Sequence, residues 1–339
     1  MVHFCTYFDS HYLAKGLALY HSMREHCAPF QLWVLCMDDL TYRVLGKIQL
    51  PNMSLIPLME LEGGDKELLH TKETRSRIEY YFTCTPCLPL YLLERFSRIP
   101  AITYVDADLF FYHEPKALFR DMEGFSVAMT GHRYAPNLKK RNSYGLYNVG
   151  WLSFRRDQTA LSCLRWWREK CLEWCFDRVE NGRYADQKYL ERWPLLFPGI
   201  LVLKQKGANL APWNISNYAL SWDGGMVFVD EEPLIFFHFH GFRKIASWLY
   251  DSNFSACRAR MTSTIRQHII VPYIRALSLA SERYLPPRSR MMLDEGIRNE
   301  NQNRAWNERI WQAGNRVFCV ILSLLNRNYV TVNPRNFLS

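Results

Sequence analysis

The chain has 339 residues, of which 48% are apolar, and a formal net charge of +9. This apolar share excludes a disordered chain and supports the core of one large α/β domain with an appendage, or of two domains. The positive balance leaves nucleic acid, an anionic membrane surface or a polyanionic substrate as partners, but Lys and Arg are dispersed without a block of like charge, which argues against nucleic acid. Ten cysteines are scattered along a chain too large to need disulfide staples, so reduced thiols in a cytoplasmic protein are expected. Met1-Val-His-Phe leads straight into polar residues, unlike a signal peptide, and the longest apolar candidate, Val317 to Leu325, falls far short of the roughly 20 residues that span a bilayer.

In chain order, Val2 to Tyr7 reads as a short buried strand, and Asp9-Ser10-His11 as a turn capping a helix with Leu13, Leu17, Tyr20 and Met23 on one face. Phe30 to Met37 is a second apolar run closed by Asp38-Asp39, followed by a helix to Leu50 and a third run from Met53 to Leu58. Strand and helix alternate, which predicts a parallel sheet with helices on both faces. Residues 60–77 read as a loop or broken helix, and a helix with Pro86 in its first turn runs from about Thr83 to Phe96. Further strands are expected at Ala101 to Val105, Phe125 to Thr130, Tyr147 to Phe154, Ile200 to Leu203, Met226 to Val229 and Leu234 to Phe239, with a long amphipathic helix from Gln158 to about Val179. Composition shifts after Trp248, so residues 1–250 are assigned to one domain and 251–339 to a helical C-terminal extension.

The chemistry begins at Tyr104-Val-Asp-Ala-Asp108. Side chains two apart on a strand share a face, so Asp106 and Asp108 converge where a buried strand emerges, and two carboxylates without nearby thiolates suit Mg2+ or Mn2+. An ordinary turn explains the pair equally well until a partner is found. His238, at the end of another apolar run, is a candidate third ligand, although a histidine there is commonly structural. Gly241 permits close backbone approach to a phosphate, and Arg243 and Lys244 supply cations for a diphosphate or simply form a solvated loop.

Five short motifs in order resemble the GT-A fold glycosyltransferases that use nucleotide-diphospho-sugars, and most closely family 8, the galactosyltransferase and glycogenin-like group. Thr6-Tyr-Phe-Asp-Ser-His-Tyr12 resembles the first strand and nucleotide-contacting turn, Tyr104 to Asp108 the DxD motif, and Asn148-Val-Gly150 the Asn-x-Gly strand. Asp186-Gln187 resembles the Asp-Gln helix start, and His238-Phe-His-Gly-Phe-Arg-Lys244 the His-x-x-Gly-x-x-Lys element. The resemblance covers the chain to about residue 250 and implies a mixed, mainly parallel Rossmann-like α/β sheet with flanking helices.

It further implies a hexosyltransferase-like enzyme of polysaccharide biosynthesis, moving a sugar from a nucleotide donor, UDP above all, to a glycan or lipid-linked saccharide, with retention. By the same resemblance Asp106, Asp108 and His238 hold a divalent cation. Thr6, Asp9, Tyr12, Asp106 and Gly241 line the nucleotide pocket with Arg77, and Lys244 contacts the diphosphate, a role open to Arg243 because Lys244-Ile-Ala-Ser-Trp248 departs from the usual Lys-Pro-Trp. Asp186 and Gln187 face the donor sugar, and Asn148 lies near the sugar or acceptor. The rival reading is a non-catalytic nucleotide- or glycan-binding protein on the same scaffold; the intact carboxylate pair argues against it.

Four other features have simpler readings. Cys84-Thr-Pro-Cys87 has thioredoxin-like spacing but reads as buried thiols, and Cys163, Trp167, Cys171 and Cys175 form a core stripe. Trp213-Asn214 and Trp222-Asp223-Gly-Gly225 are packing residues or sugar-stacking contacts. Val317 to Leu325, flanked by Arg316 and Arg327, either docks on the catalytic domain or lies at the inner face of a membrane, which would make the protein peripheral there.

Overall fold

A computed structural model describes residues 1–285 and 329–332. Strands β1 (Val2–Phe8), β2 (Phe30–Cys36), β3 (Met53–Pro57) and β4 (Ala101–Val105) run parallel in the order β3-β2-β1-β4. They are linked by helices α1 (Leu13–His26), α2 (Asp39–Ile48), α3 (Leu58–Gly64), α4 (Lys66–Thr71) and α5 (Arg77–Arg95). After β5 (Leu109–Phe111) and α6 (Lys116–Asp121), the sheet is completed by β6 (Val127–Gly131), β7 (Tyr147–Arg155) and β8 (Ile200–Leu203). Strand β7 lies antiparallel to both β4 and β6, and β8 is parallel to β6, so the sheet is mixed and mainly parallel.

The alternation of strand side chains builds two cores. Phe4, Phe8, Leu32 and Val34 point to the face covered by α1 and α2, whereas Cys5, Trp33 and Leu35 point to the face covered by α5 and α7 (Gln158–Glu173). A short helix α8 (Trp193–Leu196) buries Trp193 against Trp167 with ring centroids 5.2 Å apart.

Several boundaries differ from the sequence reading for local reasons. Helix α5 begins six residues before Thr83 because Ser76 and Glu79 form a capping box, in which the Glu79 carboxylate accepts from the Ser76 N–H at 2.8 Å. Pro86 and Pro89 therefore lie inside the helix, and the buried run from Thr83 to Leu90 holds it together despite the missing backbone donors. Helix α7 stops at Glu173 rather than Val179, because Arg75 donates to the carbonyls of Cys171 and Leu172 at 3.2 and 3.0 Å. Residues 60–77 hold α4 and most of α3, with Asp65 capping α4 through the Leu68 N–H.

Beyond β8 come β9 (Leu220–Asp223), β10 (Met226–Val229) and β11 (Glu232–Pro233), then β12 (Phe236–His238), β13 (Arg243–Ala246) and β14 (Leu249–Asp251), the last lying between β13 and β15 (Tyr329–Thr331). Periodicity missed β5, β9, β11, β13, β14 and β15, which are two to four residues long, too short to show an alternating pattern. Helix α9 (Ser263–Ile265), a π-helical turn at Arg266–Ile270 and α10 (Val271–Tyr284) follow, with α10 packed on α1. Val317 to Leu325 lies outside the described residues. Among the described residues no helix is long and apolar enough to cross a membrane, and the nine described cysteines are free and buried.

Candidate metal and nucleotide site

The backbone brings the DxD stretch to His238 through the pairing of β5 with β12. Their antiparallel register sets His238 opposite Leu109 and Phe236 opposite Phe111, so the end of β12 lies beside the start of β5, directly after Asp108. The Phe239 N–H donates to the Asp108 carbonyl at 2.9 Å, and the Asp106 N–H donates to the Gly150 carbonyl on β7 at 3.2 Å. Phe111, Trp151 and Phe236 hold this junction from below, Trp151 stacked on Phe236 at 5.3 Å.

Above that base three side chains converge. The imidazole Nε2 of His238 lies 3.2 Å from Asp108 Oδ1 and 3.5 Å from Asp106 Oδ2, and the three ligand atoms all fall within 4.8 Å of one another. His238 and Asp108 are buried and Asp106 is half-buried. The ring is fixed from behind. Asn209 donates its amide N–H to the Gly131 carbonyl at 3.2 Å, which turns Oδ1 toward His238 Nδ1 at 3.3 Å and leaves Nε2 to face the carboxylates. Gly150 makes room for it: a Cβ there would stand 2.8 Å from His238 Nδ1 and 2.6 Å from Asn148 Oδ1. The donor set of two carboxylates and one correctly aimed imidazole fits a hard divalent cation of the manganese or magnesium type.

Electrostatics agree with convergence. Burial pushes the Asp106 carboxyl up to about 6, Asp108 adds to the shift, and His238 and the Tyr104 hydroxyl oppose it. Burial acts upward on Asp108 as well, but the charge and hydrogen bond of His238 outweigh it and hold that carboxyl well below the usual range. Burial disfavours the His238 imidazolium, yet the two carboxylates raise its pKa. The Tyr104 hydroxyl donates to Asp106 Oδ1 at 2.9 Å and fixes that carboxylate.

A second group gathers at the end of β1. Asp9 accepts from the His11 N–H at 3.0 Å and from the Tyr81 hydroxyl at 3.2 Å, and Arg77 lies 4.0 Å away from it. Arg75, the other basic residue of this segment, is spent on the carbonyls that end α7. Tyr12 is exposed and carries the Lys15 ammonium 4.0 Å above its ring. The charge of Lys15 acts on Asp108, His238 and His240, so the triad lies within its electrostatic reach. Sequence reading missed Lys15; its one signal was the spacing of three from Tyr12, which puts both on one face at the start of α1.

The remaining candidates divide. Asp186 is buried, and burial pushes its carboxyl up to about 7 against a hydrogen bond from Thr85, with the Asp106 charge adding to the rise. Thr85 also meets the Tyr7 hydroxyl at 3.2 Å, so the middle of Cys84-Thr-Pro-Cys87 supports Asp186 while its thiols are buried with raised pKa values. Ala185, at φ 44, is held in the left-handed region just before Asp186. Gln187 turns its amide to the Tyr144 carbonyl at 2.9 Å. Asn148 is buried, accepting from the Gly150 N–H at 3.1 Å and meeting His132 Nε2 at 3.2 Å. Thr6 is fully buried on β1.

After His238 the chain makes a turn and enters the β13–β14 hairpin. Gly241 has φ 71, and a Cβ there would meet Asn253 Nδ2 at 2.4 Å, so the turn itself requires glycine. Arg243 is exposed and paired with Asp251 at 2.7 Å across the β13–β14 hairpin, and Lys244 stands opposite Tyr250. Trp213 and Asn214 are buried packing residues, with the Trp213 ring 5.0 Å from His238, while Trp222 is half exposed and stacked on His268 at 3.8 Å.

No family model matches the chain. It is 34% identical over 278 residues to the uncharacterized protein YfnD of Bacillus subtilis (strain 168), covering 80% of this chain and 87% of that protein. It is 35% identical over 251 residues to the uncharacterized protein YfnF of the same organism, covering 72% and 82%. Among solved structures, the galactosyltransferase LgtC, in complex with donor and acceptor sugar analogs, superposes over 86% of this chain and 99% of its own with a TM-score of 0.54 and 15% identity. The chain belongs to the family of YfnD and YfnF and has the GT-A glycosyltransferase fold.

Proposed function

We propose that the chain is a metal-dependent glycosyltransferase that moves a sugar from a nucleotide-diphosphate donor, UDP-linked, to a glycan or lipid-linked saccharide, with retention at the anomeric carbon. The single observation carrying this reading is the convergence of Asp106, Asp108 and His238 within 4.8 Å on the fold of LgtC. These three residues would hold Mn2+ or Mg2+, which when bound supplies positive charge to a diphosphate leaving group.

Within this reading, the elements around the triad have distinct tasks. Asp9, Tyr12 and Arg77 at the end of β1 and start of α5 receive the nucleoside, with the backbone beside Thr6 and Gly241 as further contacts. Lys15, whose charge acts on the triad, joins Lys244 as a candidate cation for the diphosphate, Arg243 being engaged by Asp251 on the exposed hairpin. Negative charge growing on the leaving group is stabilised by cations fixed beforehand in a site with little water. Asp186 and Gln187 address the donor sugar, and Asn148 orients His132 and the Gly150 strand beneath them.

Thermal-shift measurements with a panel of nucleotide sugars, with and without manganese, test the proposal. One donor should stabilise the protein only in the presence of the metal, and Asp108→Ala should abolish both that stabilisation and donor turnover. Undiminished turnover in a folded Asp108→Ala protein would sink the metal role.

A further inference from the structure

Two stretches without acidic residues meet beside the triad. No Asp or Glu occurs between Glu123 and Asp157, or between Asp251 and Glu282, although the chain has 33 acidic residues in 339. The first stretch presents Lys139, Lys140 and Arg141 on the 3-10 helical segment Pro136–Tyr144, and the second presents Arg258 and Arg260. Lys139, Lys140, Arg258 and Arg260 are exposed, and none of the four forms an ion pair among the described residues.

These stretches form one wall. Arg141 donates to the Ala256 carbonyl at 2.7 Å and lies 3.5 Å from Cys257 Sγ, while Leu138 and Cys257 pack with Trp213 in a small core. Through the Trp213 ring, 5.0 Å from His238 and 5.6 Å from His240, the wall reaches the triad. At its other end Gln187 holds the Tyr144 carbonyl at 2.9 Å and Lys188 holds the Asn142 carbonyl at 3.0 Å, so it reaches the Asp186–Gln187 segment. Glu191, which meets the wall at the Leu146 N–H, is paired with Lys188 at 2.7 Å. An ordinary solvated face mixes both signs of charge; this one places one sign along a path from the triad to Asp186–Gln187.

We propose that this wall binds the acceptor, and that the acceptor is an anionic glycan bearing phosphate or carboxylate groups. The inference rests on reading the site as one of glycosyl transfer, because the wall adjoins the triad and the Asp186–Gln187 segment, whereas the nucleotide groups come from β1, α1 and α5. Its recognition is electrostatic and extended, and weakens with salt as counterions are released less favourably.

Full-length protein is titrated by thermophoresis with poly(glycerol phosphate), polygalacturonate and dextran at two salt concentrations. At least one anionic polymer should bind and dextran should not; which of the two binds separates phosphate from carboxylate. Lys139→Glu/Lys140→Glu and Arg258→Glu/Arg260→Glu should each weaken that binding by roughly fivefold or more, while Arg43→Glu/Lys47→Glu on α2, an equal change in net charge, should leave it within about twofold. Equal loss in the α2 variant, equal binding of dextran, or preference for an RNA oligonucleotide would each overturn the proposal. Stabilisation by UDP and manganese should persist in both wall variants. Its absence from the unaltered protein would refute the transferase reading while leaving the polymer result to be judged separately.

Discussion

His238 and Arg243 are five residues apart, yet their surroundings could hardly differ more. His238 is buried, pinned by the β5–β12 ladder, oriented by Asn209 and packed on Gly150. Arg243 stands on an exposed hairpin and finds its partner in Asp251 of the neighbouring strand. A backbone ladder and a packed ring hold one side chain to a single place, whereas an exposed ion pair contributes little and restrains little. Neighbours in one motif are therefore held very differently, and the charge of Lys15, more than 200 residues upstream, acts on the triad.

The contrast can be attacked most strongly at its buried half. Gly150→Ala forces a Cβ to within 2.8 Å of His238 Nδ1. It should cost about 3 kcal/mol in stability and weaken manganese binding by roughly 100-fold, read by chemical denaturation and calorimetry. Manganese affinity equal to that of the unaltered protein would show that His238 needs no such seat.

Asp186 tests the buried side by pH. Its folded pKa of about 7 lies above the ordinary 3.8, so the folded protein binds more protons between those values. The stability this contributes is fully present below about pH 4 and is lost as pH rises toward 7. Asp186→Asn should accordingly gain on the unaltered protein between pH 4 and pH 8, by an amount of order 2 kcal/mol in urea unfolding. A difference between the two proteins that stays flat with pH would contradict a buried, proton-holding carboxyl.

The cations give smaller effects. Lys15→Met should lower the affinity for UDP by about tenfold and that for UMP far less, with Lys15→Arg recovering part of the loss. Equal losses for the two nucleotides would point to the nucleoside rather than the diphosphate. Arg243→Ala should change stability by under about 0.5 kcal/mol and nucleotide affinity by less than twofold, as expected of an exposed pair. A tenfold loss there would restore the hairpin to the site and erase the contrast.

The legible part of the fold was its first half. β1, β2 and β4 carry runs of buried apolar residues because both faces of the sheet are covered, α2 follows a polar cap at Asp38, and α1 follows a short 3-10 turn capped by Asp9. The short strands β5, β9, β11, β13, β14 and β15 and the early start of α5 were not legible. The former are too short to show a period, and β5 and β15 also rely on distant partners, β12 and β14; the latter is set by a cap whose Ser-x-x-Glu spacing was overshadowed by Pro86. Thr85 shows the same limit within the site. Its neighbours Cys84 and Cys87 drew attention by spacing, while its own hydrogen bond to Asp186 depends on how α5 crosses the sheet.

Local patterns in the chain place two carboxylates just past one buried strand, a histidine at the end of another, and helices between the early strands, because period-two and period-3.6 repeats are local properties. The carboxylates converge through the turn between β4 and β5 rather than by sharing a strand face. It took tertiary packing to bring these strand ends together, to put the Lys15 charge within reach of them while Arg243 pairs with Asp251, and to join two acid-free stretches into one wall. Those outcomes depend on register, on the space left by Gly150 and on charge summed across distant segments, none of which is encoded in any single stretch.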